Sequence, residues 1–375
     1  MIRATIIGLG KMGISHAAIL GGLPNVELVA VCDTDNLLQS AFKKLTKIQV
    51  YTDYKKMIEE VKPDCVYVVT PTKFHFDMVM FALEHNCHVF CEKPFALTYE
   101  QGKKMVQMAK AKGLVNQVGY HNRYIGTFNE MKRLLAEGVI GKPFHFMGEA
   151  YGPVVLKPKG STWRSNKKNG GGCIEDYAAH VLNLINYICD SNIVDCRGTY
   201  MPSIFSSEVD DAVYGSLYLA NGLKGQISVN WSDDTVRKMT TSLKIHGDKG
   251  KLEADATTLK IYVKEDKPEY GLKQGWNFKY ITDCTPMVDF NLRGEEYSAE
   301  SAAFIHGIET GEVDSRNSFE SALQTDYIIA KMEKDVMRLE PVLMNEIIEA
   351  PKPSKRWKRM FKKIWKIRKN KKANL

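Results

Sequence analysis

A chain of 375 residues, 44% hydrophobic and 26% charged, has room for two domains and a sizeable core and reads as a folded globular protein. No apolar run approaches the roughly 20 residues of a membrane span, and the first residues open a strand pattern instead of a signal peptide, so we expect a cytoplasmic protein. The charge of +8 is concentrated: residues 354–375 hold eleven Lys or Arg and no acid, which leaves −3 on residues 1–353.

The eight cysteines (Cys32, Cys65, Cys87, Cys91, Cys173, Cys189, Cys196, Cys284) are scattered, with no C-x-x-C pair and no zinc spacing. Reduced thiols and no metal are the simple reading.

In chain order, a β-branched run over residues 2–7 leads into Gly8-Leu9-Gly10-Lys11-Met12-Gly13, a helical run, a second apolar run over 26–32, and Asp33. A bare G-x-G-x-x-G is common by chance; the flanking strand, helix and acid give it weight. Gly8 makes the tight turn, Gly10 removes the side chain where a pyrophosphate would approach, and Gly13 lets the helix pack closely. Free N–H groups at the helix start would face the phosphates. Asp33, twenty residues after Gly13, can accept from both ribose hydroxyls of an adenosine, while Thr34 and Asp35 bring no cation for a 2′-phosphate. NAD is favoured over NADP.

Residues 36–45 carry a helical pattern, and Thr52 or Asp53 can cap a helix over 54–61. The strand over 65–70 runs into Pro71-Thr72-Lys73-Phe74-His75, a polar turn at the carboxyl end of the sheet, where ligands sit in doubly wound folds. A helix (76–84) and a strand (88–91) follow, the strand ending in Glu92-Lys93-Pro94; a helix (98–112) and a strand (115–119) come next. Strands alternating with helices make an α/β dinucleotide-binding domain with a doubly wound parallel sheet, residues 1–122.

The pattern then changes to an α+β domain over 123–345. A helix (128–137), a strand (144–150) and a helix (174–188) precede strands over 212–220, 223–230, 240–246, 251–254 and 259–263. Short turns such as Ala220-Asn221-Gly222 predict a large, mainly antiparallel open sheet. Residues 264–293 show no clear period, and helices over 295–309 and 318–338 close the domain. There is no internal repeat.

Lys93 follows a strand and precedes a proline, so its ammonium is held at the carboxyl edge of the sheet, where it can polarise a hydroxyl oxygen. Asp176 and His180 stand at i and i+4 of the predicted helix after Gly170-Gly171-Gly172, on one face. A carboxylate and an imidazole projecting together supply a general base near neutral pH with an acid to orient it.

Together these motifs resemble the Gfo/Idh/MocA oxidoreductases over about residues 1–340. The resemblance rests on the glycine turn, Thr70-Pro71-Thr72 with His75, Glu92-Lys93-Pro94, Val118-Gly119-Tyr120 with Arg123, Trp163-Arg164, and Gly170-Gly171-Gly172 through Asp176 to His180. It implies that Gly8, Gly10, Lys11, Met12, Gly13, Asp33, Thr70, Pro71, Thr72, His75, Glu92 and Lys93 bind the dinucleotide. Lys93, Asp176 and His180 would be catalytic, with His180 as acid/base. Tyr120, Arg123, Trp163 and Arg164 would join them around the substrate. It further implies that the open sheet face makes a homo-oligomer, a dimer or tetramer. Two departures are Tyr177 between the Asp and the His, and Asn183 where an acid frequently follows.

The implied reaction is hydride transfer between NAD and a hydroxyl or keto carbon of a sugar. Residues 151–172 carry Lys157, Lys159, Arg164, Lys167 and Lys168 and no acid, a field suited to an anionic or nucleotide-linked sugar. In the tail, Trp357, Met360, Phe361, Ile364 and Trp365 recur at helical spacing opposite Lys358, Arg359, Lys362, Lys363, Lys366 and Lys369. Such a helix suits an anionic membrane surface, and residues 346–375 read as a linker and basic amphipathic tail at the inner face of the membrane. An anionic sugar and a membrane-facing tail together suggest surface-glycan synthesis. No nucleic-acid motif is present. The alternatives are an inositol or neutral-sugar dehydrogenase, an NAD-dependent glycosidase and a sugar-sensing binding protein without catalysis.

Overall fold

The structure is a computed structural model that describes residues 1–156, 163–285, 294–314 and 316–348. Lys157, Lys159 and the basic tail lie outside the described residues.

The amino-terminal half alternates strand and helix: β1 (Ile2–Ile7), α1 (Lys11–Gly22), β2 (Val26–Cys32), α2 (Asn36–Leu45), β3 (Gln49–Tyr51), α3 (Tyr54–Val61), β4 (Cys65–Val68), α4 (His75–Glu84), β5 (His88–Cys91), α5 (Tyr99–Ala111) and β6 (Asn116–Val118). The strands form one parallel sheet in the order β3-β2-β1-β4-β5-β6. Their side chains are buried on both faces in β4 and in most of β1 and β5, which is why these segments read as continuous apolar runs. Three of the helix starts are set by side chains. Asp35 caps α2, Asp53 caps α3 with an acceptor 2.9 Å from the Lys55 N–H, and Thr98 caps α5. The sheet order reverses between β1 and β4, and their carboxyl ends open the crevice that holds the site.

The second half comprises α6 (Gly126–Ala136), β7 (Pro143–Tyr151), a π-helical turn (Ile174–Ala178) running into α7 (Ala179–Ile188), β8 (Ile193–Tyr200), β9 (Ala212–Leu219), β10 (Lys224–Asn230), β11 (Thr240–Gly247), β12 (Gly250–Asp255), β13 (Thr258–Val263), β14 (Gly275–Tyr280), α8 (Ile281–Cys284), α9 (Glu295–Thr310) and α10 (Phe319–Ile348). The eight strands order as β14-β13-β12-β11-β7-β10-β9-β8, antiparallel throughout except for the parallel pair β7–β10. α7 lies against the inner face. A side chain in place of Gly148 on β7 would collide with Val181 and Ile185, so that glycine sets the close approach of α7. α10 packs on β8, α5 and α7 and so ties the two sheets together.

Three strands escape the sequence reading. β3 is only three residues long, and β8 is broken by register shifts. β14 lies in the stretch that shows no period because its alternation is inverted: Trp276, Phe278 and Tyr280 face outward while Lys279 reaches inward to Glu130 at 2.6 Å. α10 runs past residue 338 into the start of the segment read as a linker.

Candidate active site

The glycine turn separates into three roles. Gly8 has a φ of +101°, and a Cβ there would lie 2.4 Å from the Val69 carbonyl oxygen, so the turn between β1 and α1 excludes a side chain. A Cβ on Gly13 would sit 1.8 Å from the Gly8 carbonyl oxygen. At Gly10 a Cβ would meet no atom within 4 Å: nothing in the protein requires a glycine there, and the space is open to a ligand. Gly10 is also the N-cap of α1 and offers no side-chain acceptor to the helix, so that end keeps its capacity to bind an anion. Lys11 is exposed beside it and Met12 packs against the core of the sheet. Asp33 closes the turn from β2, with one carboxylate oxygen accepting from the Leu9 N–H and the other from the Asp35 N–H at 2.8 Å. These features fit a dinucleotide.

Across the crevice, His75 bridges two loops. Its Nε2 lies 2.8 Å from the Thr70 carbonyl oxygen and its Nδ1 2.9 Å from that of Pro94, which joins the turn Thr70-Pro71-Thr72 to the Glu92-Lys93-Pro94 segment. Burial lowers the His75 pKa although both carbonyls pull it upward, so the ring is held neutral and donates to one of them. Thr72 is buried, and a Cβ on Gly170 would lie 2.9 Å from its Cβ, so the triple glycine runs against this turn. The Glu92 carboxylate turns beneath the site. It accepts from His16 of α1 at 2.8 Å and from the Lys93 N–H at 3.1 Å, and these bonds hold it below the usual carboxylate range despite burial, which pushes it up. His16 therefore ties the glycine-turn helix to the lysine loop, a link between residues 76 apart that no sequence spacing signals.

The chemistry converges at the π-helical turn. Lys93 Nζ donates to Asp176 Oδ1 at 2.5 Å and to the Asp176 carbonyl oxygen at 3.2 Å, while Arg164 Nε donates to Asp176 Oδ2 at 2.7 Å. Asp176 is 3% exposed; burial alone would raise its pKa, but the two cations hold it far below the carboxylate range. His180, also 3% exposed, has its pKa pushed well below 6.5 by burial first, then by Lys93 and His121, with Asp176 opposing. Its ring is neutral near pH 7. Asp210 holds the start of the turn, accepting from the Ile174 N–H at 2.7 Å through a carboxylate whose pKa burial raises to about 6. Wide turns of this kind are frequent at functional sites.

Of the remaining residues from the sequence, Tyr120 meets His180 edge-on with ring centres 6.0 Å apart, and Trp163 carries the Arg164 guanidinium over its ring at 4.7 Å. Arg123 is buried away from this group. Its guanidinium donates to the carbonyl oxygens of Asn183 and Arg316 and to Ser321 Oγ, stapling α7 to the approach to α10. Asn183 itself donates to Thr325 Oγ1 at 3.1 Å, on the same inner side. Tyr177 packs edge-on to Trp231 and closely over Gly152. Among the described residues no group of His, Cys, Asp and Glu could hold a metal ion.

Comparison with known proteins places this geometry in a family. Residues 2–120 match the model of the GFO/IDH/MocA oxidoreductase family, NAD-binding Rossmann fold, and residues 128–253 match the GFO/IDH/MocA C-terminal domain. The D-glucoside 3-dehydrogenase of Escherichia coli is 29% identical over 240 residues, 59% of this chain and 68% of that protein. The scyllo-inositol 2-dehydrogenase (NAD(+)) of Bacillus subtilis is 28% identical over 199 residues, 52% of this chain and 56% of that protein. In fold, a levoglucosan dehydrogenase solved with NADH and levoglucosan superposes with a TM-score of 0.80 at 21% identity, covering 90% of this chain and 97% of that one. With both halves matched in order, the chain belongs to the Gfo/Idh/MocA family of NAD-binding oxidoreductases.

Proposed function

We propose that the protein is an NAD-dependent dehydrogenase that interconverts a secondary hydroxyl and a ketone on a sugar or cyclitol ring. The observation that carries this reading is the Lys93–Asp176 pair, 2.5 Å apart, beside a buried neutral His180 at the carboxyl edge of the parallel sheet. Gly8, Gly10, Gly13, Asp33 and the Thr70–Thr72 turn would hold NAD, which supplies the hydride acceptor when bound.

The chain's own residues then do the rest. His180 takes the hydroxyl proton, since it is neutral and free to accept one. Lys93 donates to the same oxygen and steadies the charge that develops there as the proton leaves. Asp176 stays ionised and fixes Lys93 in place through its carboxylate and its carbonyl, with Arg164 holding the other carboxylate oxygen. Tyr120 and Trp163 would wall the substrate. We take residues 1–122 as the cofactor domain, 123–345 as the substrate domain and 346–375 as an appended tail.

The test is the absorbance of the NADH band as glucosides, inositols, sugar phosphates and nucleotide sugars are offered with NAD. Reduction that vanishes in His180→Ala supports the reading; silence across the panel with NAD bound overturns it.

A second reading, an anionic or nucleotide-linked sugar used in surface-glycan synthesis near a membrane, has one supporting feature, the basic segment before the π-helical turn. Within it Arg164 is engaged by Asp176 and Lys167 by Glu333 at 2.8 Å, while Lys168 is exposed. Nucleotide sugars that fail to compete with a turned-over glucoside would end this reading. For the tail, binding to anionic vesicles at physiological salt decides; no described helix is long and apolar enough to cross a membrane.

A further inference from the structure

Oxidising an alcohol with NAD releases one proton for each hydride, and this site has to pass that proton to solvent. The groups facing His180 can be taken element by element. After β5, Lys93 is engaged twice by Asp176. On the π-helical turn, Asp176 is held ionised far below neutrality and cannot keep a proton. On the turn His121–Tyr124, the Tyr120 hydroxyl just before it is buried with its pKa driven well above 10, so it cannot ionise to carry one. His180 Nδ1 is itself sealed from solvent and has no hydrogen-bond partner among the described residues.

Among the described residues one titratable ring is left against His180. His121 meets it at 68° with ring centres 5.0 Å apart, and is only half-buried. Its other face stacks on Tyr297 of α9, centres 4.5 Å apart and planes within 20°. The stack fixes the ring between the buried histidine and the surface. An imidazole is the side chain suited to accept a proton and hand it on near neutrality.

We propose that His121 is the proton outlet of the site. This rests on the dehydrogenase reading. The hydroxyl proton, once on His180, passes to His121 through one bridging water or a small ring rotation, leaving His180 neutral; His121 then releases it to bulk water. In ketone reduction the proton enters by the same two rings in reverse. His121 acts through His180 and positions the proton path without itself touching the reacting carbon.

The test uses the full chain labelled with ¹⁵N-histidine. In His121→Phe the stack on Tyr297 is kept and the nitrogens are lost; His121→Gln is the second variant should the first fold poorly. Exchange of the His180 ring proton with water, read by NMR without substrate, is expected to slow roughly tenfold or more, and free imidazole is expected to restore it. With NAD and a turned-over sugar, proton release read by an indicator dye is expected to lag behind the first hydride transfer. Exchange that is unchanged or faster overturns the proposal, as does a loss that imidazole leaves untouched. Because the exchange needs no substrate, it decides the outlet even where every sugar fails, which is the separate failure of the dehydrogenase reading.

Discussion

His180 and Asp176 both have folded pKa values below their unfolded ones, one as a base kept neutral and the other as an acid kept ionised, so both cost stability as pH falls. Burial, Lys93 and His121 hold the folded His180 pKa well below its unfolded value near 6.5. Between those two values the unfolded chain binds more protons, so stability rises with pH across that window and is lost as pH falls toward the folded pKa. In the oxidation direction the acid limb of kcat/KM is therefore expected below pH 6.5; a limb at or above 6.5 would show that the base is another group. His180→Ala is expected to lower turnover by about 10²–10⁴ with NAD affinity retained, as titrated by NADH fluorescence. Asp176→Ala strands Lys93 as a largely buried cation, and a loss of about 3–5 kcal/mol in urea unfolding is expected. Asp176→Asn, which keeps an oxygen for Lys93, should lose less.

At the scale of elements, the glycine turn separates structural from ligand-facing positions. Gly13→Ala drives a methyl into the Gly8 carbonyl and should unfold the turn, seen as a lower urea midpoint. Gly10→Ala meets only open space, so the midpoint should hold to within about 0.5 kcal/mol while the Kd for NAD rises roughly tenfold or more, by calorimetry. Equal damage from both would mean that Gly10 faces protein and no phosphate. The same turn shows what a sequence can carry. In the sheet around it, β4 and most of β1 and β5 are buried on both faces and α2, α3 and α5 begin at side-chain caps, so these runs and boundaries are written locally. β8 and β14 lie at sheet edges, where register shifts and outward aromatics erase the alternation. In the site, Asp176 and His180 share a short segment and were legible. The His16–Glu92 bond, the Arg164 clamp, and the use of Arg123 as an internal staple depend on tertiary closure, and nothing in their local spacing encodes them.

Over the whole molecule, the eight-stranded sheet raises a question of what covers it. α6, α7 and α10 pack on one face, and among the described residues no helix lies on the other. That outer face carries Trp276, Phe278 and Tyr280 on β14, 48%, 53% and 57% exposed, with Tyr262 paired opposite Trp276 on β13 and Phe144 at the start of β7. Exposed aromatics grouped on one flat surface mark a contact site more often than solvent-facing decoration. The face is not uniformly apolar: Lys244 of β11 pairs with Glu149 of β7, and Lys251 pairs with Glu253 along β12. We propose that this patch joins a homo-oligomer, since one patch related by a two-fold axis can meet itself. Trp276→Lys with Phe278→Lys changes no inward contact, so circular dichroism and the urea midpoint should stay near wild type. Sedimentation should then report a smaller particle, shifted toward the monomer mass of 42.4 kDa. An unchanged mass would place the interface elsewhere and leave the aromatics to another partner. Because the π-helical turn and α7 pack on the inner side of the same strands, a loosened interface should raise KM for the sugar before it lowers the affinity for NAD, whose binding turn belongs to the other sheet.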